Sequence, residues 1–270
     1  MIGGTYVVGD VHGRFDEWIQ MKNRIEAEDP EAKFIFVGDL EDRGPKSCEM
    51  IRWAIENITE DGKYQTIKGN HEEGKISWWN HTVECAKYDK LDINDFCYVY
   101  DFLGEHYGFH EYMWEGGVTA SEMHKIIKWM DNLPYYKDIQ IDGKRFLIAH
   151  ADMPEYVFDE NKKVKEELPQ LWKFDIIWNR EAYEFNLGDE IILIHGHTPS
   201  VFPEAYPFFY RMEEKDFGKI VKMKNRYNVD CGAGYIGYLF GANLAILRLN
   251  DFKEYYLYNE EEISCRPLIK

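Results

Sequence analysis

Five short polar motifs, each directly after a run of apolar and often β-branched residues, constrain the fold of this chain more than any other feature. The central motif is Gly69-Asn70-His71-Glu72, which follows the apolar-edged run 64–68. Such motifs are weak evidence singly, because a Gly-Asp pair after a strand is usually only a turn. Five of them, each at a predicted strand end, indicate one site assembled from several strands. The other four are Gly9-Asp10-Val11-His12-Gly13, Gly38-Asp39-Leu40-Glu41-Asp42-Arg43-Gly44, His150-Ala151-Asp152 and Gly196-His197-Thr198.

The runs that precede the motifs predict an α/β fold. Short buried strands are expected at 5–8, 33–37 and 64–68, with helices over 14–28 and from 47 onward between them. This β-α-β-α-β order implies a parallel sheet with right-handed crossovers. The pair Asp142-Gly143 predicts a β-hairpin over 136–149, and a second hairpin is expected to close the chain at 244–258. A further buried strand is predicted at 191–194.

Residues 73–134 form a helical insert that is rich in aromatic residues and shows no clear strand. Helices are predicted near 73–80, 93–103 and 121–131, the last capped by Ser121, and another over 168–178. Periodicity does not decide whether the insert covers a site or only packs as a helical unit, and we favour the second. Because no linker, repeat or low-complexity tract interrupts the chain, we expect a single domain over 1–270.

Composition excludes some functions. The 49 acidic and 32 basic residues give a net charge of −17, which argues against nucleic acid as a partner. The five cysteines show no CxxC spacing and are expected to be reduced thiols. No signal peptide and no run long enough to span a bilayer is seen, so a cytoplasmic protein without a membrane partner is expected.

The motif residues supply ligands of the kind that divalent transition metals use. In an extended chain, Asp10 and His12 would point the same way and could share one ion. Asp39 ends the neighbouring strand, and its two oxygens could bridge two ions. Asn70, His150 and His197 add one oxygen and two imidazoles from three further strand ends. These six ligands suit two ions of manganese, iron or zinc better than calcium, and such a pair can activate water for displacement at phosphorus.

Other motif residues fit phosphoryl chemistry. His71 would point away from the metals toward a leaving oxygen, with Asp42 orienting its imidazole. Arg43, and Arg180 in Trp178-Asn179-Arg180, could bind phosphoryl oxygens. The remaining histidines lack this setting and are interpreted as structural or exposed, His195 with the least justification because it is close to His197. They are His81, His106, His110, His124 and His195.

In their order along the chain, these motifs resemble those of the calcineurin-like metallophosphoesterases. More narrowly, they are similar to the bacterial and bacteriophage phosphoprotein phosphatases, and the segment 229–232 resembles that family's late Asp-x-Gly segment. The resemblance implies two packed mixed β-sheets flanked by helices, with manganese commonly bound. It also implies the following roles: Asp10 and His12 on one metal, Asp39 as the bridge, Asn70, His150 and His197 on the other, His71 and Asp42 as the acid pair, and Arg43 and, by a looser match, Arg180 on phosphate.

The expected function is that of a metal-dependent phosphomonoesterase, most specifically a serine/threonine protein phosphatase, with tyrosine as an alternative target, acting on a phosphoprotein or a small phosphorylated substrate. The alternatives are a dinucleoside polyphosphate hydrolase of the same superfamily and a catalytically inactive scaffold. Two departures from the family pattern bear on this expectation. Glu41 stands where an apolar residue is usual, and the insert at 73–134 is longer than in the compact phage enzymes.

Overall fold

Two five-stranded β-sheets form the centre of the structure, a computed structural model that describes residues 3–88, 116–180, 186–188, 190–206 and 212–259. The strands are β1 Thr5–Val8, β2 Lys33–Phe36, β3 Tyr64–Thr66, β4 Tyr136–Ile141, β5 Lys144–Ala149, β6 Ile191–His195, β7 Val221–Met223, β8 Arg226–Asn228, β9 Ala245–Arg248 and β10 Lys253–Tyr256. The α-helices are α1 Phe15–Glu28, α2 Ser47–Asn57, α3 Asn70–Tyr88, α4 Ala120–Asp131 and α5 Gln170–Trp178.

The first sheet has the order β10-β9-β1-β2-β3. Its strands β1, β2 and β3 are parallel, so the predicted β-α-β-α-β unit is confirmed. The closing hairpin β9-β10 is also confirmed, and β9 pairs antiparallel with β1. The C-terminal part of the described chain therefore lies beside its N-terminal strand.

The second sheet has the order β4-β5-β6-β8-β7. The predicted hairpin β4-β5 forms its edge, and Asp142 and Gly143 in its turn have φ values of 51° and 77°. Strands β5, β6 and β8 run parallel to one another, so their carboxyl ends lie at one edge of the sheet.

The two sheets pack face to face. Val7 and Ile35 of the first sheet share an apolar cluster with Ile148 and Ile194 of the second. Helices α1 to α4 cover the outer face of the first sheet, and α5 covers that of the second. The predicted class, two packed mixed sheets flanked by helices, is thus confirmed.

Several predicted boundaries are wrong. Helix α3 begins at Asn70 rather than near residue 73 and reaches Tyr88, so the central motif lies in its first turn. Helix α4 is capped by Thr119, whose hydroxyl accepts from the Glu122 backbone N–H at 3.2 Å, and not by Ser121. Strand β3 ends at Thr66 instead of Lys68. The helix predicted near 93–103 lies outside the described residues.

None of the described helices has both the length and the apolar character that crossing a lipid bilayer requires.

Candidate metal centre and active site

The six predicted ligands lie past the carboxyl ends of five strands, three parallel strands in the first sheet and two in the second. Asp10 and His12 follow β1, Asp39 follows β2, and Asn70 follows β3. His150 follows β5 and His197 follows β6, both in the second sheet. Packing the two sheets face to face brings these strand ends together, and all six residues are at most 6% exposed.

Asp39 lies at the centre of the cluster. Its Oδ2 is 3.6 Å from His12 Nε2, and its Oδ1 is 3.4 Å from His150 Nε2. Two groups of three residues have ligand atoms that all lie within 4.8 Å of one another: His12, Asp39 and His71, and Asp10, Asp39 and His150. Because Asp39 belongs to both groups, its carboxylate is placed where it could bridge two ions.

Unpaired polar atoms show that these residues fit divalent cations. Asp10 Oδ1 and His197 Nε2 are buried without a hydrogen-bond partner among the described residues. Asn70 Oδ1 lies 2.8 Å from both His150 Nε2 and His197 Nδ1, while His150 Nδ1 is 2.7 Å from the Val37 carbonyl. When His150 Nδ1 carries the proton and donates to the Val37 carbonyl, the lone pair of His150 Nε2 faces the Asn70 side-chain oxygen. Converging nitrogen and oxygen lone pairs without a thiolate suit manganese, iron or zinc.

The charges of these side chains also suit the binding of divalent cations. Burial, followed by the nearby Asp230 and Asp39 carboxylates, raises the pKa of Asp10 well above its usual value. Burial also lowers the pKa of His12 and His197 well below the usual histidine value. A bound cation would relieve the repulsion among these buried carboxylates, and a neutral imidazole keeps the lone pair that a metal requires.

The backbone that presents Asp10 and His12 is a turn, so the extended-chain argument for their shared direction is wrong. His12 has φ 48°, and its N–H donates to the Asp39 carbonyl at 2.9 Å. Left-handed conformations recur at Asp39, Asp42 and His197, with φ of 50°, 70° and 69°. Such residues cost about 1–3 kcal/mol each and cluster at functional sites.

Glu72 stabilises the loop that carries Asp39, a role that the sequence did not reveal. Its carboxylate accepts from the backbone N–H groups of Asp39, Leu40 and Gly69 at 3.0, 2.9 and 2.8 Å. A carboxylate with three such donors is rigid and hydrogen-bonded at both oxygens. The glutamate of the Asn-His-Glu motif therefore connects the ends of β2 and β3.

His71 and Asp42 form the predicted contact. His71 Nδ1 lies 2.6 Å from Asp42 Oδ2, which leaves Nε2 directed toward the ligand cluster, 3.7 Å from Asp39 Oδ2. The prediction that His71 points away from the metal ligands is thus not met. Burial alone would lower the pKa of His71, but the Asp39 and Asp42 carboxylates outweigh it and raise the pKa. Asp42 therefore holds Nδ1, while Nε2 faces the ligand cluster.

A pocket of about 460 Å³ opens onto the cluster. Arg43 and Arg180 line it together with Asp39, Asn70, His71 and His197. Arg43 contacts His12 Nε2, and Arg180 Nη1 donates to the His197 carbonyl and to Thr198 Oγ1, both at 3.0 Å. Both predicted phosphate-binding arginines therefore reach the same pocket. Three aromatic residues for which the sequence predicted no role complete the wall: Trp178, Phe202 and Tyr235.

The histidines excluded from the site remain outside it where they are described. His195 is fully buried, with Nδ1 3.1 Å from the Gly196 carbonyl, and it lies in neither ligand group. His81 and His124 are exposed. His106 and His110 lie outside the described residues.

Known proteins with similar sequences have two kinds of activity in their names. The chain is 25% identical to the asymmetrical bis(5'-nucleosyl)-tetraphosphatase PrpE of Anoxybacillus flavithermus, over 90% of this chain and 89% of that protein. It is 24% identical to serine/threonine-protein phosphatase 2 of Escherichia coli, over 87% of this chain and 89% of that protein. A symmetrical bis(5'-nucleosyl)-tetraphosphatase of Actinobacillus succinogenes is 41% identical over 82 residues, which span 30% of this chain and only 26% of that protein.

Comparison of structures supports the fold. A candidate diadenosine tetraphosphatase superposes with a TM-score of 0.55 over 95% of this chain and 93% of that chain, at 12% identity. At that identity the likeness concerns the fold alone. The profile of the calcineurin-like phosphoesterase family matches residues 5–246, which include the second sheet, strands β1 to β3 of the first sheet and all six predicted ligands. The chain therefore belongs to the calcineurin-like phosphoesterase family.

Proposed function

We propose that this phosphoesterase hydrolyses phosphomonoesters and that its substrate is a protein phosphorylated on serine or threonine. The observation that carries the proposal is the pocket in which Arg43 and Arg180 lie beside His71 and the ligand cluster. Two guanidinium groups can bind the peripheral oxygens of one phosphoryl group, and the imidazole can serve the leaving oxygen.

The six predicted ligands would hold two divalent ions, and we propose manganese, with iron or zinc also compatible with the donor atoms. Bound ions would supply an activated water and would stabilise the charge that develops on phosphorus and its oxygens. The protein's own contribution is to fix the donors: Glu72 holds the Asp39 loop, and the Val37 carbonyl orients His150.

His71 would donate a proton from Nε2 to the departing alkoxide. Asp42 keeps the imidazole oriented through the 2.6 Å contact with Nδ1 and favours its protonated form. A serine or threonine alkoxide is a poor leaving group, so this proton transfer contributes strongly to its expulsion.

Hydrolysis of a dinucleoside polyphosphate is the second candidate, because some relatives carry that activity in their names and because aromatic side chains could stack on a base. Such a substrate brings several further negative charges. Apart from the ligand cluster and the two arginines, the charged side chain that lines the described part of the pocket is Glu204, which would repel it. The charge of the pocket thus favours a single phosphoryl group.

The test is to assay the purified chain, with added manganese, against a phosphoserine peptide and against diadenosine tetraphosphate. The proposal expects a kcat/KM at least about tenfold higher for the phosphopeptide, which corresponds to about 1.4 kcal/mol of transition-state stabilisation. A preference of the same size for the dinucleotide would establish the second candidate instead. Asp39→Ala, assayed in parallel, shows whether either activity belongs to this site.

A further inference from the structure

Lys75 is a fully buried lysine behind the acid pair. It lies on α3 four residues after His71, so the two side chains project from the same face of the helix. Its Nζ is 2.8 Å from Asp42 Oδ1, and it also forms an ion pair with Glu41. Both Lys75 and Glu41 are completely shielded from solvent, so this ion pair is not a surface feature.

The Asp42 carboxylate is held at both of its oxygens. Oδ2 faces His71 Nδ1 at 2.6 Å, and Oδ1 faces Lys75 Nζ at 2.8 Å. The Asp42 backbone N–H donates to Ser47 Oγ at 3.0 Å. With one oxygen fixed by an ammonium group on the same helix as His71, the carboxylate cannot rotate away from the imidazole without breaking a buried ion pair.

Glu41 gives Lys75 a second carboxylate. A buried ammonium group costs several kcal/mol unless it is paired with good geometry. Asp42 already shares its charge with His71, so it would serve two cations if Glu41 were apolar. Glu41 directly precedes Asp42 in the chain and forms its own ion pair with Lys75. The lysine's charge is therefore offset while Asp42 keeps its contact with His71.

We infer that Lys75, with Glu41 as its counter-charge, is a positioning residue that fixes Asp42 and thereby aims His71 at the leaving oxygen. The inference rests on the proposed function, in which His71 protonates that oxygen. It adds two residues that do not touch the substrate. It also gives a role to a glutamate that lies at zero exposure two residues from Asp39.

The experiment compares substrates that differ only in their need for a proton. For Lys75→Met, kcat for phenyl phosphate should fall by about tenfold or more, because a misaligned acid loses part of its usual 10²–10⁴-fold contribution. The kcat for p-nitrophenyl phosphate, whose leaving group hardly needs a proton, should fall less than about threefold, and bound metal should stay unchanged. Equal losses on both substrates would overturn the inference.

Lys68→Met is the matched control. Lys68 is also buried, at 2% exposure, and pairs with Glu73 at 3.2 Å, but the ion pairs described for it do not include Asp42. This variant should lose stability and should lower kcat for both substrates by the same factor.

The double variant Glu41→Leu/Lys75→Met covers the case in which Lys75→Met does not fold, because it removes both buried charges together. It should fold more stably than Lys75→Met yet keep the selective loss on phenyl phosphate, whereas full recovery would overturn the inference.

A spectroscopic readout separates this inference from the proposed function. The short His71–Asp42 contact should give a downfield imidazole N–H proton resonance that is absent in His71→Asn. Loss or displacement of that resonance in Lys75→Met supports the positioning role even if wild-type protein hydrolyses neither aryl phosphate. An unchanged resonance overturns it even if the wild-type enzyme is active.

Discussion

The two sheets contribute different chemistry to the same pocket. The loops of the first sheet contribute two carboxylates, including Asp39 at the centre, together with an amide, the His12 imidazole and the proposed acid pair. The loops of the second sheet contribute two imidazoles, those of His150 and His197, and the buried carboxylate of Asp230 near Asp10. Left-handed backbone at the site is concentrated on the loops of the first sheet, where Glu72 and Lys75 provide polar and ionic support.

The first sheet thus supplies the acid pair and most of the support around the site, and the second adds two further predicted metal ligands. Burial raises the pKa of Glu72 to about 6, with Asp39 as the next cause, although three backbone donors stabilise its carboxylate. Behind the predicted ligands of the second sheet, the ionic support among the described contacts is the Asp152–Arg226 pair, with Arg226 Nε 2.9 Å from Asp152 Oδ1. Substitutions on the two sheets should therefore differ both in the property that they change, activity or stability, and in the size of the effect.

The largest expected effect comes from Asp39→Ala on the first sheet. Asp39 belongs to both ligand groups, so its loss should release metal from both. Metal catalysis is worth several kcal/mol, so kcat/KM should fall by roughly a thousandfold or more. His197→Ala, on the second sheet, should retain part of the metal and lose less activity. Metal content by elemental analysis and steady-state kinetics test this, and equal metal loss in both variants would contradict the asymmetry.

A stability effect is expected at the support of the second sheet. Arg226→Met leaves the Asp152 carboxylate buried without its 2.9 Å partner, at zero exposure. Breaking a buried pair typically costs about 3–5 kcal/mol of unfolding free energy. Denaturant unfolding measures the loss. Because this pair does not contact the acid pair, the ratio of activities on phenyl and p-nitrophenyl phosphate should stay constant, and a shift in that ratio would assign the pair a catalytic role.

The two arginines sharpen the comparison further. Arg43→Ala should lower kcat/KM about a hundredfold, since loss of one charged contact to the transition state costs a few kcal/mol. Arg180→Ala should cost less, because Arg180 already donates to the His197 carbonyl and Thr198 Oγ1, so part of its hydrogen bonding is used by the protein. Measuring kcat/KM of both variants on the same substrate makes the comparison. If Arg180→Ala has no effect, its match through Trp178 is wrong.

The smallest effect is expected far from the pocket, at Glu26 on α1. Burial would raise its pKa, but hydrogen bonds from Lys63, Tyr64 and Lys22 lower it from 4.5 to about 2. Its stabilising contribution is therefore present above pH 4.5 and is lost as pH falls toward about 2. Because Glu26 is partly exposed, solvent screening limits its contribution to the free energy of unfolding to roughly 1 kcal/mol. Thermal unfolding of Glu26→Gln should show a deficit at neutral pH that shrinks on acidification; a deficit independent of pH would exclude this origin.

Much of the site could be predicted because its residues follow strand ends in sequence. The residue types at 10, 12, 39 and 70 are local, and the parallel order of β1 to β3 follows from the intervening helices. The hairpin β4-β5 was set by Asp142-Gly143, whose φ values favour that turn. Which residues bind metal stays a prediction, as do the single-domain organisation and the physiological substrate.

What only the tertiary structure decided depends on contacts between distant segments. Lys75 and Glu41 are 34 residues apart and meet because α3 packs its first turns against the loop after β2. The pocket wall combines Trp178, Phe202 and Tyr235 from three segments that no periodicity relates. The left-handed turns at His12 and Asp39 also escaped prediction, because nonglycine residues enter that conformation only when surrounding contacts hold them there. The sequence by itself determined the types of the predicted ligands and the parallel order of β1 to β3, because both depend on local patterns. The direction of each side chain was decided only by the packing of the two sheets against each other.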